Sequence, residues 1–121
     1  MKELKMVERN TGRVLLGNVK AAIGPVERFT GLMGRKSLKA ETGMYFPHCS
    51  SIHMFFMRFA IDAVYFDREY RIKKIVSYLK PWRLSWCPGG DSVLEVPAGW
   101  CEEIGLEVGT RVEFQEKKKS D

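Results

Sequence analysis

Residues 53–67 read His53-Met54-Phe55-Phe56-Met57-Arg58-Phe59-Ala60-Ile61-Asp62-Ala63-Val64-Tyr65-Phe66-Asp67. Aromatic and β-branched residues dominate the block, and such residues suit a pleated, packed surface. Residues 52–57 and 62–67 are expected as two strands around the link Arg58-Phe59-Ala60-Ile61. Asp67-Arg68-Glu69 then turns the chain into a further strand over 70–77. Ile72 and Ile75 cannot share one face under strict alternation, so a bulge near Lys73-Lys74 is expected. One acid, Asp62, stands inside the apolar run. An unpaired buried carboxylate is costly, so Asp62 needs hydrogen bonds or a cation.

The flanking sequence follows the same short-strand pattern. Residues 4–8 and 13–16 are β-prone runs around Asn10-Thr11-Gly12, which reads as a hairpin, and Val19 to Ile23 extends or repeats the strand. Gly24-Pro25 breaks it. Val26, Phe29, Leu32 and Met33 recur at spacings of three and four, which predicts a helix from Pro25 to about Met33, stopped by Gly34. Gly43 to Phe46 is a short strand ended by Pro47. Lys80 to Asp91 holds Pro81, Pro88 and Gly89-Gly90 and reads as a long loop. Ser92 to Val96 is a strand, Ala98 to Ile104 a short helix, and Arg111 to Phe114 the last strand. The pattern predicts a mainly β, sandwich-like or barrel-like single domain over 1–116 with two short helices. Residues 117–121 are expected as a basic disordered tail.

A chain of 121 residues fits one domain that folds unaided. Its 45% apolar and 29% charged content is that of an ordinary globular protein. No run approaches the roughly 20 apolar residues of a membrane helix, and no secretion signal is evident at the N-terminus, so the expected setting is the cytoplasm without membrane contact. The net charge is +5. Part of it lies in Lys117-Lys118-Lys119, and part in Arg68, Arg71, Lys73, Lys74, Lys80 and Arg83 around Tyr70, Tyr78 and Trp82. Cations interleaved with aromatics suit nucleic acid, but no recognised binding motif accompanies them. The three cysteines, Cys49, Cys87 and Cys101, form no C-x-x-C pair, which argues against a disulfide framework or a zinc ribbon.

Four segments together carry a resemblance. They are Gly31-Leu32-Met33-Gly34-Arg35-Lys36-Ser37-Leu38, Gly43-Met44 leading to Phe46, His53 to Asp67, and Val93-Leu94-Glu95-Val96-Pro97-Ala98-Gly99 continuing to Gly105, Gly109 and Val112. In order and spacing the chain resembles the domain-of-unknown-function 192 family from about residue 25 to 114. Phe59 stands where many members of that family carry a polar amide. The resemblance implies a mainly β fold and no established activity.

The residues allow several chemistries. Asp62 either accepts backbone N–H groups or pairs with Arg35 or Arg58, where a planar Arg–carboxylate fork could orient a polar ligand. His53 could act as a general base if a carboxylate lay within reach. His48, Cys49 and His53 lack a strong metal spacing, and Met54 and Met57 read as core fillers, so no metal or other cofactor is expected. Cys87 sits in a proline- and glycine-rich loop, and Cys101 reads as a small core residue. The reading that best fits apolar walls with few polar groups is a small-molecule or peptide binding module. Its expected ligand-binding residues are Arg35, His53, Met57, Arg58 and Asp62, with Trp82 and Trp86 on a covering loop. The alternatives are an enzyme using His53 or Asp62 in acid–base chemistry and a basic nucleic-acid interaction module. No residue pattern defines an oligomeric state.

Overall fold

The structure, a computed structural model, describes residues 2–24 and 31–117. Its strands are β1 (Lys2–Glu8), β2 (Val14–Ala21), β3 (Thr42–Phe46), β4 (Ser51–His53), β5 (Ile61–Phe66), β6 (Ile72–Leu79), β7 (Leu84–Trp86), β8 (Ser92–Pro97) and β9 (Val112–Glu116). A helix, α1 (Trp100–Ile104), joins β8 to β9. Seven strands form one sheet in the order β6-β5-β8-β3-β2-β1-β9, with β2 and β3 parallel and the other neighbours antiparallel. The edge strands approach each other at one end. There Arg71 bridges Arg111, the Ile72 N–H donates to the Thr110 carbonyl at 2.8 Å, and the Val112 N–H donates to the Tyr70 carbonyl at 2.9 Å. The sheet is thus a curled half-barrel, mainly β as the alternation requires.

Strand β5 shows why the fold has two cores. All six of its residues are buried. Side chains alternate along a strand, so Val64 and Phe66 enter one core with Leu16, Tyr45, Leu94 and Val96. Ile61, Ala63 and Tyr65 enter the other with Met44, Phe46, Met57 and Val93. The second core is covered by a two-stranded ribbon of β4 and β7, paired Ser51 to Trp86 and His53 to Leu84. A buried hydrogen bond of 2.9 Å from the Tyr65 hydroxyl to Ser85 Oγ ties the ribbon to β5.

Several local expectations change. The strand expected over 52–57 ends at His53, and the Met57 N–H closes a turn onto the Met54 carbonyl at 3.2 Å. Met54 and Met57 are buried while Phe55 and Phe56 are exposed, a spacing of three that a flat strand cannot satisfy. The expected loop over 80–91 contains β7, because its backbone completes the ribbon. The bulge in β6 is present: Tyr65 faces Lys74 and Phe66 faces Ile72, leaving Lys73 as the extra residue. Most of the helix expected from Pro25 to Met33 falls on 25–30, outside the described residues, and 31–34 form turns. The α1 helix matches its expected place. Of the segment expected as a tail, Lys117 is held to the sheet. Its N–H donates to the Glu3 carbonyl at 3.1 Å and its ammonium to Asn18 Oδ1. Residues 118–121 lie outside the described residues.

Gly43 lies where three strands pack against the first core. A Cβ there would stand 2.9 Å from Leu16 Cδ2 and 3.1 Å from both Leu94 Cδ1 and Val96 Cγ1. Gly43→Ala is therefore expected to lower unfolding free energy by about 1–3 kcal/mol through overpacking. Urea denaturation measures this as a lower midpoint at unchanged slope. An unchanged midpoint would show that the neighbours give way freely.

Candidate functional site

Asp62 lies on β5 with 0% exposure. Its Oδ1 accepts the Tyr78 N–H at 2.9 Å and the Gly99 N–H at 3.1 Å, and its Oδ2 accepts the Cys101 N–H at 3.0 Å. The first donor comes from an irregular stretch of β6, where the register slips between Ile61 and Ala63. The other two come from the start of α1. Gly99 adopts φ +89°, which glycine reaches without penalty. A Cβ on Gly99 would also come within 2.6 Å of the Tyr78 hydroxyl. The carboxylate thus joins a strand irregularity to a helix start. Its donors are not those of its own link, and among the described residues no arginine pairs with it. Burial first, and then the Asp62 charge and hydrogen bond, push the Cys101 thiol pKa well above its usual range. Cys101 is therefore a packed, unreactive thiol.

A separate cleft opens beside Met57, with a volume of about 80 Å³. It is lined by Phe46 of β3, Glu95 of β8, the ribbon residues Ser51, Ile52 and His53, the turn residues Gly31, Leu32 and Met33, and Cys49 and Met57. Cys49 donates its S–H to the Ser51 carbonyl at 2.9 Å. Nδ1 of His53 accepts the Phe55 N–H at 3.2 Å, which places the proton of a neutral ring on Nε2. From His53 a row of aromatics runs outward. Ring centroids lie 5.0 Å apart for His53 and Phe55, 6.0 Å for Phe55 and Trp82, and 5.0 Å for Phe56 and Trp82. Phe56 and Trp82 hold positive φ values of 63° and 69°. Neither is glycine, so both carry backbone strain.

Glu95 is the unusual member. Leu94 and Val96 face the first core, so alternation turns Glu95 into the second, between Met44 of β3 and Ala63 of β5. It is 5% exposed and makes no hydrogen bond or ion pair among the described residues. Burial alone raises its pKa from 4.5 to about 8, so near pH 7 the carboxyl is mostly protonated.

The residues expected at a site are therefore dispersed. His53 and Met57 line the cleft. Arg35 and Arg58 are exposed, and Arg35 borders a different groove with Lys20 and Lys39. Trp82 and Trp86 are 59% and 61% exposed and stand outside the cleft. Asp62 has its oxygens committed to the backbone. Glu95 escaped the sequence reading. Its signal was an acid inside Val93-Leu94-Glu95-Val96, with apolar neighbours on both alternating faces. All three cysteines are free, and no helix among the described residues is long and apolar enough to cross a membrane.

Two solved structures share this architecture. A protein of unknown function from Novosphingobium aromaticivorans DSM 12444 superposes with TM-score 0.76 at 23% identity, over 92% of this chain and 83% of that one. A Sinorhizobium meliloti 1021 protein superposes with TM-score 0.79 at 23% identity, over 93% and 92%. At that identity the likeness speaks to fold alone. Among curated sequences, the UPF0127 protein PF1050 of Pyrococcus furiosus is 31% identical over 90% of this chain and 97% of its own length. The UPF0127 protein of Thermococcus sibiricus is 28% identical over 91% of this chain and 74% of its own length. With residues 6–114 matching the family pattern described as "Uncharacterized ACR", and with these relatives alongside, the chain belongs to the DUF192 family.

Proposed function

We propose that this protein is a binding module whose cleft beside Met57 receives a small molecule or one side chain of a peptide. The observation that carries the reading is Glu95, a buried carboxyl that lines the cleft and has no hydrogen-bond partner among the described residues. Buried polar groups are nearly always hydrogen-bonded, and one that is not calls for an explanation. A polar group entering the cleft would supply a partner for Glu95. Met57 and His53 keep the ligand-facing role expected of them, and Glu95 takes the selecting role first expected of Asp62. Phe55, Phe56 and Trp82 form an exposed aromatic rim, strained at Phe56 and Trp82, that a ligand chain would lie across. Arg35, Arg58 and Trp86 stand further out and would touch only an extended ligand. The three free thiols support a reducing, cytoplasmic setting.

One observation favours a second reading, an acid–base enzyme. A carboxyl that titrates near pH 8 in a reachable cleft is matched to proton transfer at neutral pH. This reading gives the role to Glu95 with His53, rather than to Asp62. The nucleic-acid alternative has less support. Of its expected backbone contacts, Lys74 already donates to the Trp86 carbonyl at 2.8 Å.

The methionine methyl groups offer a direct test. With ¹³C-methyl labelling, a library of small fragments is expected to move the Met57 and Met33 signals. Met6, fully buried in the first core, serves as the internal control. If no fragment moves Met57, or if Met6 moves equally, the cleft is not the binding site.

A further inference from the structure

We infer that the group received by this cleft is an organic cation, a primary ammonium on a short apolar stem, held against the Glu95 carboxylate. The inference rests on the binding-module reading above and adds the charge and size of the ligand.

Size comes first. A water-sized group needs at least 10–15 Å³ by this measure of volume. The 80 Å³ cleft therefore admits a head group of roughly five heavy atoms. Sites for whole drug-sized ligands are about 300–1,000 Å³. A nucleotide does not fit, whereas the tip of an amine does.

Charge comes second. The chain carries 20 Lys and Arg residues and a net charge of +5. Among the described residues no lysine or arginine lines this cleft, whereas Arg35, Lys20 and Lys39 all border a different groove. The cleft's polar groups are the Glu95 carboxyl, the Ser51 hydroxyl, the Cys49 thiol and the His53 ring. The thiol is already donating to a backbone carbonyl. A ligand anion would meet the ionised Glu95 with no lysine or arginine among the described lining residues to offset it. An ammonium supplies the one interaction that the carboxylate lacks, and a charge-assisted bond in a water-poor site is strong.

The walls fit the stem. Leu32, Phe46, Ile52 and Met57 present apolar surface along the cleft. Met33 and Met57 add flexible thioethers that adapt to an irregular chain, and Phe46 contributes an aromatic ring, a group whose faces attract cations. Such a head group belongs equally to a free alkylamine and to a lysine side chain in a peptide.

The experiment titrates n-butylammonium, n-butanol and butyrate into wild-type protein and into Glu95→Gln, reading the Met57 methyl signal at pH 9, where Glu95 is ionised and an alkylammonium keeps its proton. Wild type is expected to bind butylammonium at least tenfold more tightly than butanol and to reject butyrate. In Glu95→Gln that preference is expected to disappear while butanol binding persists. Equal affinity for the amine and the alcohol, or a preference for butyrate, would overturn the cation inference and leave the cleft reading standing. Silence from all three probes would overturn the cleft reading itself. Acetyl-Gly-Lys-Gly-amide is the second arm. Affinity above that of butylammonium assigns the cation to a peptide that also crosses the aromatic rim, and equal or lower affinity assigns it to a free amine.

Discussion

At pH 8, Glu95→Gln is expected to stabilise the unliganded protein, against the usual direction of core substitutions. The unfolded chain releases the Glu95 proton above about pH 4.5, while the folded protein retains it until about pH 8. Between those values the unfolded state binds fewer protons, so stability falls as pH rises. A displacement of this size corresponds to a loss on the order of 4 kcal/mol by pH 8. Glutamine carries no such penalty. Its buried amide costs about 1–3 kcal/mol if left unpaired, which leaves a net gain of about 2 kcal/mol. For a domain of this size that is a rise of roughly 6–10 °C in melting temperature. At pH 4.5 Glu95 is neutral in the folded protein and only half-ionised in the unfolded chain, so the gain should nearly vanish or reverse. Melting curves of the two proteins at pH 4.5, 6 and 8 isolate the effect, because every other titrating group is common to both. A difference that does not grow with pH would show that Glu95 ionises freely, with water or another group completing its site.

Asp62 is expected to behave in the opposite way. Asp62→Ala removes the acceptor of three N–H groups, those of Tyr78, Gly99 and Cys101. Each buried donor left without a partner costs about 1–3 kcal/mol. A total loss of about 3–9 kcal/mol by this accounting is a large share of the stability of a domain of this size. Asp62→Asn should cost less, about 2–4 kcal/mol by the same accounting. Its oxygen can keep the Tyr78 and Gly99 donors, but its NH₂ then faces the Cys101 N–H. Urea unfolding gives the magnitudes. Hydrogen exchange gives the location, with faster exchange expected at Tyr78, Gly99 and Cys101 before elsewhere. If Asp62→Asn lost ligand binding in the cleft while keeping wild-type stability, the structural role assigned to Asp62 would be wrong.

The contrast between these two acids shows where sequence reading stops. Both sit inside apolar strands with period-two patterns, Asp62 in Ile61–Phe66 and Glu95 in Ser92–Pro97. The sequence marks each as costly to bury. It cannot say that one meets three backbone donors and the other none. Those donors come from residues 16, 37 and 39 positions away from Asp62. They depend on a slip in β6 and on a helix start brought in by sheet order. Likewise, Arg35 and Arg58 were reasonable partners for an acid by charge, but both lie outside the strands and are exposed.

Local chemistry determined the rest. Alternation, turn residues and prolines are short-range constraints, and from them follow the mainly β class, the first hairpin, the bulge at Lys73 and the α1 helix. The break after His53 was also written locally, in the spacing of Met54 and Met57. The tertiary structure alone decided that both faces of β5 and β8 are covered, that the ribbon of β4 and β7 roofs the second core, and that a cleft remains over Glu95. The reason is physical. A side chain's period sets which face it takes, but what covers that face depends on contacts between distant segments, and no local pattern encodes them.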